Sequence, residues 1–142
     1  MVCTFFGHKD APDSVKEKLK NEILRLTSEK NVEFYVGNNG NFDYYVQNVL
    51  YEISKIQPNI KFSVVISYLN ERIISDIKNS TVFPEGLEKV PPRYAISKRN
   101  DWLIKRANIA IVFVKNRFTN SYRWMDKAQR KGIKVINLAE DT

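Results

Sequence analysis

The chain has 142 residues and carries 23 lysines and arginines against 16 acids, a formal charge of +7. With 43% hydrophobic and 27% charged residues it has the makeup of a globular protein with a real core, not of a disordered or collagen-like one. One cysteine, one histidine and no apolar run near the roughly 18 residues of a membrane span exclude a disulfide scaffold, a Cys/His zinc site, the HExxH pattern and a membrane-spanning helix.

No cofactor and no metal is expected. The N-terminus, Met1-Val2-Cys3-Thr4-Phe5-Phe6, lacks the basic n-region and long h-region of a signal peptide, so the expectation is one cytoplasmic domain with no membrane partner. The charge is uneven. Residues 1–90 hold 11 basic and 12 acidic side chains, and residues 91–142 hold 12 and 4. An anionic partner on that side is implied, anything from a nucleotide to a polynucleotide.

Strand and helix alternate from the start. Val2 to Phe6 reads as a buried strand ending at Gly7, with Cys3 as inert core. Ser14 and Glu17 have capping-box spacing, and Val15, Leu19, Ile23 and Leu26 recur at helical period, predicting a helix over about 14–29. Val32 to Val36 is a second strand, closed by Gly37. The stripe Phe42, Val46, Val49, Leu50, Ile53 and Ile56 makes a second helix, stopped by Pro58. The run Phe62 to Leu69 is apolar enough for a central strand covered on both faces.

Between Asn70 and Ala95 the signal weakens. Ile73, Ile74 and Ile77 fit a short helix and Thr81-Val82-Phe83 a small strand, while Pro84, Gly86, Pro91 and Pro92 break anything longer. A helix over about 97–107, a strand Ile109 to Val114, a helix over about 118–131 closed by Gly132 and a strand Lys134 to Leu138 complete the chain. Apolar strands alternating with helices predict an α/β fold, a Rossmann-like three-layer sandwich with about five mostly parallel strands.

Such sheets place their sites at the carboxyl ends of the strands. Gly7-His8-Lys9-Asp10 follows the first strand, Gly37-Asn38-Asn39-Gly40-Asn41-Phe42-Asp43 the second, and Asn116-Arg117 the strand at 109–114. Glycines permit close backbone approach, and the free N–H groups of a helix start attract phosphate. Asp43 can accept from a ribose hydroxyl there. In the plainer reading Asn39 or Asn41 caps the helix and Asp43 complements its dipole.

His8 either contacts a ligand, as an acid/base group or otherwise, or is a hydrogen-bonded structural residue. Ser97 is placed to cap the helix it opens, and Arg99 to reach a phosphate. Arg123, Lys127, Arg130 and Lys131 share a helix face, read first as a solvated outer surface and otherwise as a nucleic-acid contact. Tyr44 and Tyr94 are the tyrosines placed to stack on a base. Glu85, in a proline turn, is either solvated or folded over the sheet end as a base or ribose ligand.

Taken in order, Cys3-Thr4-Phe5-Phe6-Gly7-His8, Phe34-Tyr35-Val36-Gly37 with Gly40-Asn41-Phe42-Asp43, Tyr94-Ala95-Ile96-Ser97-Lys98-Arg99-Asn100 and Val135-Ile136-Asn137-Leu138 resemble a group of small bacterial proteins of the SLOG superfamily. That superfamily unites Rossmann-like domains related to the Smf/DprA and Lonely-guy proteins. The resemblance spans nearly the whole chain. It implies binding of a nucleotide or nucleotide-derived ligand at the carboxyl edge, in a sensor or sequestering role in bacterial or phage conflict. Some relatives are N-glycosidases acting on nucleoside monophosphates, and some handle single-stranded DNA.

By position, the resemblance assigns ligand binding to Gly7, His8, Gly37, Asn38, Gly40, Asn41, Asp43, Arg99 and Asn100. The Lonely-guy PGGxGT segment and its glutamate have no counterpart, and Arg117-Phe118-Thr119-Asn120-Ser121-Tyr122 stands where the small group tends to carry a glycine pair. Thr119, Ser121 or Arg117 would assist a phosphate at that helix start. The leading expectation is therefore a nucleotide-binding protein. The alternatives are a nucleoside-phosphate N-glycosidase using Asp43, Glu85 and His8, and a single-stranded nucleic-acid adaptor using the basic last third. Association with further copies of the chain is left open.

Overall fold

In the computed structural model, residues 1–68 and 80–139 are described. Six strands among them form one parallel sheet: β1 (Val2–Gly7), β2 (Glu33–Val36), β3 (Lys61–Val65), β4 (Ser80–Val82), β5 (Ile109–Phe113) and β6 (Lys134–Asn137), in the order β4-β3-β2-β1-β5-β6. Four helices cover it: α1 (Val15–Glu29), α2 (Asn41–Ile56), α3 (Pro92–Arg106) and α4 (Asn120–Arg130). The expected Rossmann-like three-layer sandwich is the fold that forms.

The two-residue period of β1 decides which helix packs where. Cys3 and Phe5 face the side on which α1 contributes Val15, Leu19, Ile23 and Leu26 and α2 contributes Phe42, Val46, Leu50 and Ile53. Phe6 faces the other side, against Leu103 and Ile104 of α3 and Ala128 of α4. Each large apolar side chain so buried contributes about 1.5–3 kcal/mol. In β5 all five residues are buried, as expected of a strand covered on both faces.

Several boundaries differ from expectation, each for a local reason. The strand expected to be central, β3, lies one place from the sheet edge. Phe62 to Val65 are buried all the same; β4 flanks the end of the strand, and the Ile66 N–H extends that pairing to the Val82 carbonyl at 2.9 Å. Ser14 makes no side-chain cap, so the capping box does not form. Neither Asn39 nor Asn41 caps α2. Gly40 holds that place at φ +93°, and the Asn41 N–H donates to the Lys9 carbonyl at 2.9 Å.

Pro91 and Pro92, expected to break the chain, open α3 instead. Pro92 is its first residue, where a missing N–H costs nothing, so Ser97 lies inside the helix and does not cap it. Thr119 caps α4, its hydroxyl oxygen accepting from the Tyr122 N–H at 3.2 Å. Gly132 closes α4 at φ +84°, as the sequence implied. The expected helix around Ile73, Ile74 and Ile77 lies outside the described residues.

Gly7 shows why a side chain is absent at the end of β1. A Cβ there would stand 2.2 Å from the Phe42 ring, which is itself stacked on Phe113 with 6.5 Å between centroids. Gly7→Ala is therefore expected to destabilise the fold by about 1–3 kcal/mol through overpacking. Urea denaturation measures it, and Phe42→Leu added to Gly7→Ala should recover part of the loss. An unchanged urea midpoint in the single variant would show that the ring yields freely.

Candidate functional site

The strand order reverses between β1 and β5, so the loops after these strands part and leave a crevice at the carboxyl edge. A cavity of about 460 Å³ lies there, within the range of small-ligand sites. Gly7 and Lys9 border it from the end of β1, and Gly37, Asn39 and Asp43 from the corner between β2 and α2. Helix α3 presents Arg93, Ser97, Arg99 and Asn100 to it, and α4 presents Arg123, Trp124 and Lys127.

Its floor is built on Arg99, which is only 2% exposed. The guanidinium donates to the Val65 carbonyl at 2.9 Å, to Asn39 Oδ1 at 2.6 Å and to Asn100 Oδ1 at 2.9 Å. Asp43, also buried, accepts from the Asn39 N–H at 3.0 Å. Gly37 is squeezed between them. A Cβ on it would lie 2.8 Å from both Arg99 Nη1 and Asp43 Oδ2. Burial pushes the Asp43 carboxyl up from 3.8 to about 6, and this outweighs the opposing pull of the Arg99 charge and the Asn39 N–H. Near neutral pH the floor is then a buried carboxylate facing a buried cation.

Exposed cations form the rim. Lys9, Arg93, Arg123 and Lys127 are all solvent-exposed, and Lys127 is ion-paired with Asp101. Trp124 lies among them, stacked on Phe6 with centroids 6.2 Å apart.

His8 is engaged elsewhere. Its Nε2 accepts from the Lys115 N–H at 2.8 Å and the Asn116 N–H at 3.3 Å, and its ring meets the Phe113 edge. The accepting nitrogen carries no proton, so the imidazole proton sits on Nδ1. His8 thus ties the loop after β1 to the loop after β5 and borders a second hollow, of about 630 Å³, with Phe118 and Thr119. That second loop is an organised turn. Asn116 Oδ1 accepts from the Phe118 N–H, and the Thr119 hydroxyl donates to the Asn116 carbonyl, both at 2.8 Å. The turn holds the Phe118 side chain 96% exposed. A third hollow, of about 440 Å³, lies at the amino end of the sheet beside the last residues of α1 and α2. Helix carboxyl ends repel anions, so it has the wrong polarity for a phosphate.

Of the residues singled out from sequence, Gly7, Gly37, Asp43, Arg99 and Asn100 meet at the first cavity, while His8 and Thr119 border the second. Gly40 packs against Lys9. Asn38 accepts from the Gln47 amide at 3.3 Å. Asn41 opens α2, Arg117 is exposed on the turn after β5, and Glu85 is exposed in its own turn and borders neither cavity. Arg123 and Lys127 do not lie on a face turned away from the glycine loop, because α4 sits over the crevice and its Arg123–Trp124–Lys127 flank closes one side of it.

Sequence reasoning placed Lys9 at this edge without giving it a role, and it missed Arg93 and Trp124. The Pro91-Pro92 pair was the available signal for Arg93. Read as a helix start instead of a break, it places Arg93 in the first turn of α3, at this edge.

No protein-family model matches the sequence, and a search of curated proteins finds no match. The solved structures do provide one. The chain shares the fold of DNA processing protein A. The likeness to that protein from Helicobacter pylori, described for its single-stranded DNA binding mode, has a TM-score of 0.68 at 11% sequence identity. It covers 96% of this chain but 64% of that one, so this chain spans just under two thirds of its neighbour. At that identity the likeness bears on the fold alone, the Rossmann-like sandwich described above.

The raised Asp43 pKa has a defined sign. Between 3.8 and about 6 the folded state holds a proton that the unfolded state has released, so stability falls as pH rises through that window. Measured as the difference between the native protein and Asp43→Asn, the fall is expected to be about 2 kcal/mol from pH 4 to 6, out of about 3 kcal/mol over the whole titration, and level above pH 7. A carboxyl carbon resonance of Asp43 with its midpoint near 4 would contradict it.

Proposed function

We propose that this chain is a SLOG-type domain whose carboxyl edge binds single-stranded nucleic acid. The observation that carries the reading is where the exposed aromatic rings stand. Tyr44, Tyr94 and Phe118 are 51%, 48% and 96% exposed. Each belongs to the first turn of a helix or the turn leading into one, and all three lie at the carboxyl edge. The other large apolar side chains exposed among the described residues, Met1 and Ile56, are aliphatic and lie at the opposite end.

Cations accompany the rings. Lys9, Arg93, Lys115, Arg117, Arg123 and Lys127 occupy the same edge, and Arg93 lies over the Tyr94 ring at 4.9 Å. A basic track with interleaved aromatic faces suits a strand whose phosphates meet the cations and whose unstacked bases meet the rings. The single-stranded DNA binding described for the structural neighbour agrees with this reading.

A second reading keeps the nucleotide-derived small ligand, and one feature favours it. The cavity over Asp43 and Arg99 is a pocket as well as a stretch of track. Turnover gains no such support, since Asp43 lines the first cavity, His8 the second, and Glu85 neither.

Fluorescence anisotropy with a labelled twelve-nucleotide oligothymidylate tests the proposal. Micromolar binding is expected at low salt, weakening with a log–log slope of about −0.7 for each phosphate engaged. Reversing charge at Arg123→Glu with Lys127→Glu should remove most of it. Absence of binding at low salt, with saturable calorimetric binding of a mononucleotide, would favour the small-ligand reading instead.

A further inference from the structure

The two hollows at the carboxyl edge are neighbours. The first, with Asp43 and Arg99 on its floor, and the second, under Phe118, share Lys9, Asn120 and Ser121 in their walls. A ligand confined to one of them leaves the other empty. We infer that the unit this edge recognises is a dinucleotide, with one base in each hollow and the linking phosphodiester against the wall they share. The inference rests on the reading of the edge as a nucleic-acid site and adds its footprint.

Each hollow supplies what one nucleotide needs. The first has Arg93 and Arg123 on its rim and the Trp124 indole in its wall. The second has Lys115 on its rim and the Phe118 ring, held out by the Asn116–Thr119 turn. Between them, Lys9 is the one cation among the described residues that borders both. Its backbone is fixed by the bond from the Asn41 N–H and by the packing of Gly40 on its Cα, so its ammonium swings from a set anchor toward the dividing wall. The start of α4 adds backbone N–H groups at Asn120 and Ser121 on the same wall, which favours a negative charge there. One anion between two ring-bearing hollows is the chemistry of a phosphodiester with a base on either side. A step within a single strand and a free dinucleotide present it equally.

Competition anisotropy against the labelled twelve-nucleotide strand separates the outcomes, using pTpT and, as a charge control, pTp, which keeps a second phosphate but lacks the second base. The dinucleotide is expected to bind about tenfold more tightly than pTp, the lower part of the range for one base stacked on an aromatic ring. Phe118→Ala should erase that difference and leave pTp affinity unchanged, whereas Arg123→Ala should weaken both. Equal affinities of pTp and pTpT, or a Phe118→Ala loss shared by both, overturn the two-hollow assignment even where the long strand binds. Failure of the long strand to bind overturns the nucleic-acid reading itself. A twelve-nucleotide strand that binds more tightly than pTpT by more than its number of registers marks a strand as the source. No such gain, with pTpT bound, marks a free dinucleotide, and the two-hollow assignment stands in both cases.

Discussion

A buried guanidinium organises this edge of the molecule. Taking an arginine out of water costs several kcal/mol unless its donors are matched, and Arg99 is matched by acceptors from separate parts of the chain. They are the last carbonyl of β3, the Asn39 side chain in the corner after β2, and its own helix neighbour Asn100. Asp43 adds its charge from the first turn of α2. Satisfying one side chain therefore fixes two strand ends, one loop and two helices relative to each other. Gly37 follows from this, because no side chain fits where the guanidinium and the carboxylate close in.

The arrangement divides labour among charges. Arg99 is committed to protein acceptors, so building falls to it and reaching outward falls to the exposed cations Lys9, Arg93, Arg123 and Lys127. These stand in water, where a single pair with a phosphate contributes little. On a polyanion they would act through number and placement along a crevice walled by protein, which focuses their field. Asp43 beneath them limits how positive the floor becomes near neutral pH, when its carboxyl is largely ionised.

Much of the fold was legible because its strands are short apolar runs and its helices carry clear stripes, as at Val15, Leu19, Ile23 and Leu26. Legibility stopped where two signals have one spelling. Pro91-Pro92 reads as a break and is also a helix start, and that ambiguity hid Arg93. The i, i+4 pair Arg123 and Lys127 reads as a solvated face; which face it is depends on where α4 sits on the sheet, and no local pattern encodes that. Arg99 was picked out as a phosphate ligand because arginine near a helix start often is one. Its burial depends on Val65, 34 residues away in sequence. His8 was likewise singled out by position, but its partners Lys115 and Asn116 lie more than 100 residues on.

The loop after β1 touches both its neighbours. The Lys9 carbonyl accepts from the first residue of α2, and His8 accepts from the turn that leads into α4. Three loops on which a ligand would rest are thereby cross-braced through two consecutive residues. Loops that hang free must be ordered when something binds, and that lost freedom is subtracted from affinity. Here much of the ordering accompanies folding, so a flexible strand would meet a surface already in shape, with most of the entropic cost of association falling on the strand.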